Sequence, residues 1–350
     1  MKLIPNLTGL RFLLSFFVVA FHIPQFCQNR GFPFFNNLAI FNKGEEAVCM
    51  FFSLSGFLII RQLYIEKSSA NSINLYHFFR RRILRIFPLY YFVLTFGFIY
   101  YRFILPLMGF NYENHYDLIH GILLTFTFFP NIFATYSPGG IIEVLWSIGI
   151  EEQFYLLIAP LIFIIPFKKI TRFLTVFTIL YFLIYFSELF RFIRDYNMLF
   201  FYFSFSGLCA ILTINFSIKL QNLRYVFLLL FVLYFTTSFL RNNLNGIYYH
   251  LISMVLFGMT LCSLAEKPIK LLENKLLNYL GKISYGVYMY HAIMMQFVGF
   301  IYLKSNLYLK ISNLSSIIIF NLLVYISTIL IAHFSFKYFE SYFLKLKYKY

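Results

Sequence analysis

The chain has 350 residues, 61% of them apolar and only 12% charged. A soluble domain carries about twice that charged fraction, so the composition excludes an ordinary soluble enzyme and points to a chain facing lipid. The net charge of +16 would suggest nucleic acid in a soluble protein, but here Lys and Arg lie between apolar stretches. Orientation in a bilayer explains them, and no nucleic-acid partner is expected.

A membrane span needs about 20 mostly apolar residues. In chain order the sequence predicts spans at 7–27, 45–66, 85–107, 146–166, 170–190, 197–217, 223–240, 247–265, 283–303 and 314–338. The stretch 116–133 is shorter and opens with Asp117 and His120. If it does not cross, most Lys and Arg residues fall on the side of the N-terminus, including Arg61 to Arg85 and Lys267 to Lys282. If it does cross, that asymmetry is lost. The positive-inside rule therefore selects an all-α bundle of about ten spans with both termini cytoplasmic. It leaves an outer, partly buried or re-entrant segment near 108–145, with a turn at Ser137-Pro138-Gly139-Gly140. Residues 1–350 read as one integral membrane domain. Phe and Tyr are abundant, but Ile, Asn and Lys run high with them, so no site is drawn from the aromatics. The four cysteines have no ligand spacing, and neither a metal site nor a disulfide framework is expected.

Polar groups inside spans are costly, so each is a candidate functional residue. Arg11 and His22 are separated by just over three turns. They share one face of the first span, roughly 16 Å apart along its axis. Arg80, Arg81, Arg82 and Arg85 precede Pro88 at the third span. They serve topology, and their planar forks also suit an anionic group such as a phosphate. The fourth span opens Trp146-Ser147-Ile148-Gly149-Ile150-Glu151-Glu152, with Ser147, Glu151 and Tyr155 on one face. At least one of the two carboxylates should point into the bundle. Ser284, Tyr288 and His291 share a face of the ninth span, with His291 about 12 Å from its inner end. At that depth a histidine is expected to bond a neighbouring helix. Ser53, Ser55 and Gly56 in the second span permit close helix packing.

Several of these stretches, in this order, resemble the acyltransferase-3 family of membrane acyltransferases. They are Leu7-Thr8-Gly9-Leu10-Arg11 with His22; Phe51-Phe52-Ser53-Leu54-Ser55-Gly56-Phe57-Leu58; Arg81-Arg82 and Arg85 before Pro88; Trp146-Ser147 through Tyr155; and Leu280-Gly281-Lys282-Ile283-Ser284-Tyr285 through His291. The chain departs from the family pattern at Thr8, where an acidic residue is common. It departs again at Tyr290, where Trp is common, and at Tyr342, where a proline usually follows the acidic residue matched by Glu340. The appended extracytoplasmic esterase-like domain of some members is not expected.

The resemblance implies transfer of an acetyl or other short acyl group from acyl-CoA to a hydroxyl of a cell-surface or exported carbohydrate, such as a polysaccharide or lipopolysaccharide. It implies a bacterial cytoplasmic membrane, a lipid environment, and acetyl-CoA as donor substrate rather than a bound cofactor. A homodimer is compatible with it. A hydroxyl needs a base within hydrogen-bond reach, which assigns His22, with Glu151 to orient or charge-balance the imidazole. Arg11, Arg81, Arg82 and Arg85 would hold the anionic donor. Trp146, Ser147, Glu152, Ser284, Tyr285 and His291 would support the site. A covalent acyl-enzyme on His22 or a nearby hydroxyl remains open. The rival reading is a glycan transporter without acyl chemistry, which explains the intramembrane Arg and His but not the ordered motifs.

Overall fold

The computed structural model describes residues 4–110, 115–215 and 220–346. Lys2, Lys219, Lys347 and Lys349, which contribute to the charge asymmetry, lie outside the described residues. All regular structure among the described residues is helical. The principal helices are α1 (Leu7–Asn29), α2 (Gly44–Ala70), α3 (Leu75–Ile99), α4 (Trp146–Ile164), α5 (Ile170–Phe186), α6 (Phe200–Asn215), α7 (Arg224–Thr236), α8 (Gly246–Leu264), α9 (Ser284–Ser305) and α10 (Asn313–Phe334). α3 runs on through a π-helical stretch to Leu107, and α10 likewise to Lys345.

Each predicted span coincides with one of these helices. Among the described residues, eight helices are long and apolar enough to cross a membrane. α6 and α7 are shorter apolar helices of 16 and 13 residues. At 1.5 Å per residue they reach about 24 and 20 Å, less than the roughly 30 Å hydrocarbon core. α6 is largely buried, wedged between α2, α5 and α8. α5 and α10 lie at the periphery, and few of their apolar side chains are fully buried, as suits helices whose partner is lipid. This is a polytopic membrane bundle.

The stretch 116–133 breaks into two short helices, Leu118–Phe126 and Pro130–Phe133. Neither can span. Asp117 caps the first, accepting from the His120 N–H at 2.8 Å. The segment is held against the bundle by Tyr90, whose hydroxyl donates to Thr125 O at 2.7 Å, and by Gln153, whose amide donates to Phe128 O at 2.7 Å. The turn that follows needs left-handed backbone at Ser137 (φ 49°) and Gly139 (φ 103°). A Cβ at Gly139 would also overlap the Tyr101 ring.

Two polar clamps set the helix arrangement around the site. Asn6, left-handed at φ 66°, ties the start of α1 to the connection between α8 and α9. Its side-chain amide donates to Leu264 O and Lys267 O at 2.7 Å each, and its Oδ1 accepts from Ile269 N at 2.7 Å. Lys67 near the end of α2 donates to Ile162 O and Phe163 O in the last turn of α4 and to Ile165 O at its C-cap. A cation there satisfies orphan carbonyls and complements the helix dipole. Between these clamps, α2 and α6 approach so closely that a Cβ at Gly56 would overlap the backbone carbonyl of Phe203.

Candidate active site

α1, α2, α3, α4 and α9 together enclose a narrow pocket of about 90 Å³. Arg11 enters it from α1, Arg82 and Arg85 from α3, and Glu151 and Tyr155 from α4. Ser55 Oγ donates to Glu151 Oε1 at 2.7 Å, and Tyr155 OH donates to Glu151 Oε2 at 3.3 Å. The Arg82 guanidinium lies over the Tyr155 ring, 5.4 Å from its centroid. Among the described lining residues, three guanidinium groups therefore face one carboxylate. Arg11 and Arg82 are half-buried and Arg85 is exposed; like charges crowded around one carboxylate repel, and a polyanionic ligand relieves that repulsion.

A second cavity, of about 1040 Å³, opens at the other end of these helices. His22, Gln25 and Arg30 of the α1 region line it, with Glu45 and Glu46 of α2, Gln296 of α9 and Tyr249 and His250 of α8. Its size suits a ligand far larger than the arginine pocket admits. The His22 ring packs against the fully buried His291, with 5.2 Å between centroids. His291 Nδ1 contacts Tyr288 O on its own helix, while Nε2 is buried without a hydrogen-bond partner among the described residues.

The two cavities share Val48 and Tyr288 as a common wall. Tyr288 is fixed there, its hydroxyl 2.7 Å from Ser147 Oγ and donating to Val144 O at 2.8 Å. The start of α4 passes along the same wall, so that Trp146 faces the large cavity and Ser147 the small one.

Residues 4–333 match the acyltransferase domain family. The chain belongs to that family. Among relatives of this acyltransferase, a peptidoglycan O-acetyltransferase of Listeria monocytogenes serovar 1/2a is 31% identical over 167 residues. That match covers 45% of this chain and 24% of the Listeria protein, so the chain spans about a quarter of that relative. A protein of Acidianus two-tailed virus, named as a candidate acetyltransferase, is 26% identical over 75% of this chain and 76% of its own length. An uncharacterised protein of Haemophilus influenzae is 33% identical over 34% of this chain and 49% of its own. No solved structure shows significant similarity to this chain.

The structure of this acyltransferase brings together Arg11, Arg82, Arg85, Ser147, Glu151, Ser284 and Tyr285 around the small pocket, and His22 and Trp146 around the large cavity. Ser284 Oγ donates to Gly281 O at 2.9 Å, and Tyr285 OH donates to Ile86 O at 2.9 Å, fixing α9 against α3. Three expectations are corrected. Glu151 does not pair with His22; its oxygens are taken by Ser55 and Tyr155 in the other pocket, and His22 meets His291 instead. Arg81 does not line the arginine pocket; its guanidinium is 3.8 Å from Glu66 at the half-exposed surface, because it projects from a different face of α3 than Arg82. His291 bonds its own helix rather than a neighbour. Glu152 is buried but lines neither cavity, with Oε1 unpartnered among the described residues.

Sequence reading missed a polar network in the wall of the large cavity. Lys43, 1% exposed, lies 3.4 Å from Glu46 Oε1 and 4.7 Å from the Tyr234 ring centroid. Burial pushes its ammonium below the ordinary lysine range, and Glu46 opposes that shift. Tyr249 and Arg241 reach the same carboxylate. The only local signal was the pair Glu45-Glu46 in the first turn of α2, which also reads as ordinary helix-dipole compensation.

Proposed function

We propose that this chain is a membrane-bound O-acyltransferase that moves an acetyl, or another short acyl group, from acyl-CoA to a hydroxyl of a cell-surface or exported carbohydrate. One observation carries the reading: an arginine pocket and a histidine-lined cavity meet back to back at Tyr288 and Val48. A donor with several phosphates suits the arginines, since charge-assisted bonds from planar guanidinium forks are the strongest that side chains offer phosphate. Only a slender part of such a donor fits about 90 Å³, so its phosphates would meet the arginines of the pocket while the bulky nucleoside stays outside and the thioester end reaches toward Tyr288 and Val48.

His22 then acts on the acceptor. Its imidazole takes the proton of the attacking hydroxyl, whose oxygen adds to the thioester carbonyl. The carbon–sulfur bond breaks, the departing thiolate takes the proton that His22 holds, and the acceptor carries the new ester. Glu151 belongs to the donor side, where it neutralises part of the arginine charge and holds Ser55 and Tyr155. Residues 1–350 act as one acyltransferase domain, with helices from both halves of the chain building the site.

With both termini cytoplasmic, the arginine pocket faces the cytoplasm, where acyl-CoA is made, and the large cavity faces outward. The membrane is the bacterial cytoplasmic membrane. Sealed inside-out membrane vesicles test transfer and sidedness together. Radiolabelled acetyl-CoA supplied outside should yield labelled ester on oligosaccharide trapped in the lumen, with release of free CoA. Oligosaccharide movement without CoA release would instead establish a transporter.

A further inference from the structure

The large cavity holds a second imidazole, His250, to which acyl transfer through His22 gives no part. It lies in the second turn of α8. The lipid-side face of that helix exposes Ile247, Tyr248, Leu251 and Ile252. His250 shares the opposite, inner face with the buried Ser253 and Phe257. Five aromatic rings box it in: Tyr185 and Phe186 of α5, Phe201 and Tyr202 of α6, and Tyr249, at 5.7–6.2 Å between centroids. A polar ring held this way in a membrane helix is costly, so both of its nitrogens call for partners.

Nδ1 has one: it lies 2.9 Å from Tyr202 OH. Tyr202 is 1% exposed, so its hydroxyl proton needs an acceptor inside the protein. Among the described residues, His250 Nδ1 is the acceptor in reach. A neutral imidazole that accepts at Nδ1 carries its proton on Nε2. Nε2 makes no hydrogen bond among the described residues, yet it keeps open surface, unlike the sealed Nε2 of His291. The short helix α6, wedged against α2, α5 and α8, is what carries Tyr202 to this ring.

We propose that His250 Nε2 binds the acyl acceptor: its N–H donates to a sugar oxygen (a hydroxyl, the ring oxygen or an N-acyl carbonyl), and Tyr202 fixes the tautomer that makes it a donor. The proposal rests on the reading of this cavity as the acceptor site. The bond from Tyr202 also separates the two cavity histidines by role. With Nδ1 occupied and Nε2 protonated, His250 has no free lone pair to take a proton, so the base remains His22.

Trp146 is the sole tryptophan and lines this cavity, so its fluorescence reports occupancy without any turnover. The full chain in lipid nanodiscs is titrated with chitotetraose. His250→Gln keeps, on one planar amide, an acceptor for Tyr202 OH and a donor in place of Nε2–H. His250→Phe fills the aromatic box and has no donor. The proposal expects chitotetraose affinity within about twofold of the unaltered chain in His250→Gln, and about tenfold weaker in both His250→Phe and His250→Ala. Tyr202→Phe, which frees the tautomer, should fall between, about threefold weaker. Calorimetry with CoA, which should bind every variant equally, checks that the other pocket is intact. A ring that only packs α8 on α6 gives the reverse order, with Phe near the unaltered chain and Gln weak. That order, or equal affinities throughout, overturns the proposal while leaving acyl transfer standing. If the Phe and Ala variants fail to fold, Tyr202→Phe decides, and an unchanged affinity there overturns it. A Trp146 signal unmoved by chitotetraose in the unaltered chain overturns the carbohydrate-acceptor reading, and the proposal with it.

Discussion

The rings of His22 and His291 lie 5.2 Å apart between centroids, inclined at 31°, across the contact of α1 and α9. His22 reaches the large cavity, whereas His291 is wholly buried behind it. If His22 acts as proposed, His291 is positioned to support its ring. Loss of such support misplaces a reacting group, which costs about 10- to 100-fold in rate. His291→Ala should lower kcat by that order and leave KM for acetyl-CoA unchanged, and His291→Gln should recover part of the loss. Steady-state kinetics on purified protein check this; a raised KM with intact kcat would place His291 in donor binding instead.

Arg81 and Arg82 are adjacent in sequence and separate in role. Arg82 lines the arginine pocket over Tyr155, while Arg81 pairs with Glu66 in a partly exposed ion pair. Arg82→Ala should raise KM for acetyl-CoA about tenfold or more, in line with a lost charge-assisted phosphate contact. Arg81→Ala should change it less than about threefold, since surface pairs contribute little. Equal effects would contradict the assignment of the pocket.

The wall between the cavities depends on the 2.7 Å contact of Tyr288 OH with Ser147 Oγ. Tyr288→Phe and Ser147→Ala should each reduce kcat/KM, and the double variant should lose less than the sum. A coupling near 1 kcal/mol is expected for one buried hydrogen bond. Strict additivity in the double-mutant cycle would mean that the contact does not organise the site.

Packing of α2 on α6 has its own test. A Cβ at Gly56 would overlap Phe203 O, whereas one at Gly140 meets nothing within 4 Å. Gly56→Ala should cost about 1–3 kcal/mol as overpacking, or abolish folded yield. Gly140→Ala should leave thermal stability in detergent nearly unchanged. Equal melting temperatures for the two variants would contradict the close approach.

Much of this architecture was legible from apolar run lengths, because lipid forces each span to satisfy its backbone internally as a helix. The polar residues stood out for the same reason: Arg11, His22, Arg82, Arg85 and Glu151 interrupt apolar runs and do line cavities. Their partners were not legible. Helical periodicity places a residue on a face but not the neighbour opposite, so Glu151 was assigned to His22 although Ser55 holds it. The same limit hid Arg81, turned to Glu66, and the Glu46 network, which joins residues about 200 positions apart through Tyr249. Asn6, anchoring the α8–α9 connection from the far end of the chain, carried no local signal beyond a residue type that tolerates left-handed backbone.

The central claim is acyl transfer to a carbohydrate through His22. The most direct measurement is the O-acetyl content of surface glycan, read by NMR, in cells carrying the intact protein or His22→Ala at matched membrane levels. The account predicts that the acetyl signal falls by at least about 100-fold in the variant, the loss expected on removing a general base. An acetyl signal unchanged by His22→Ala would contradict it.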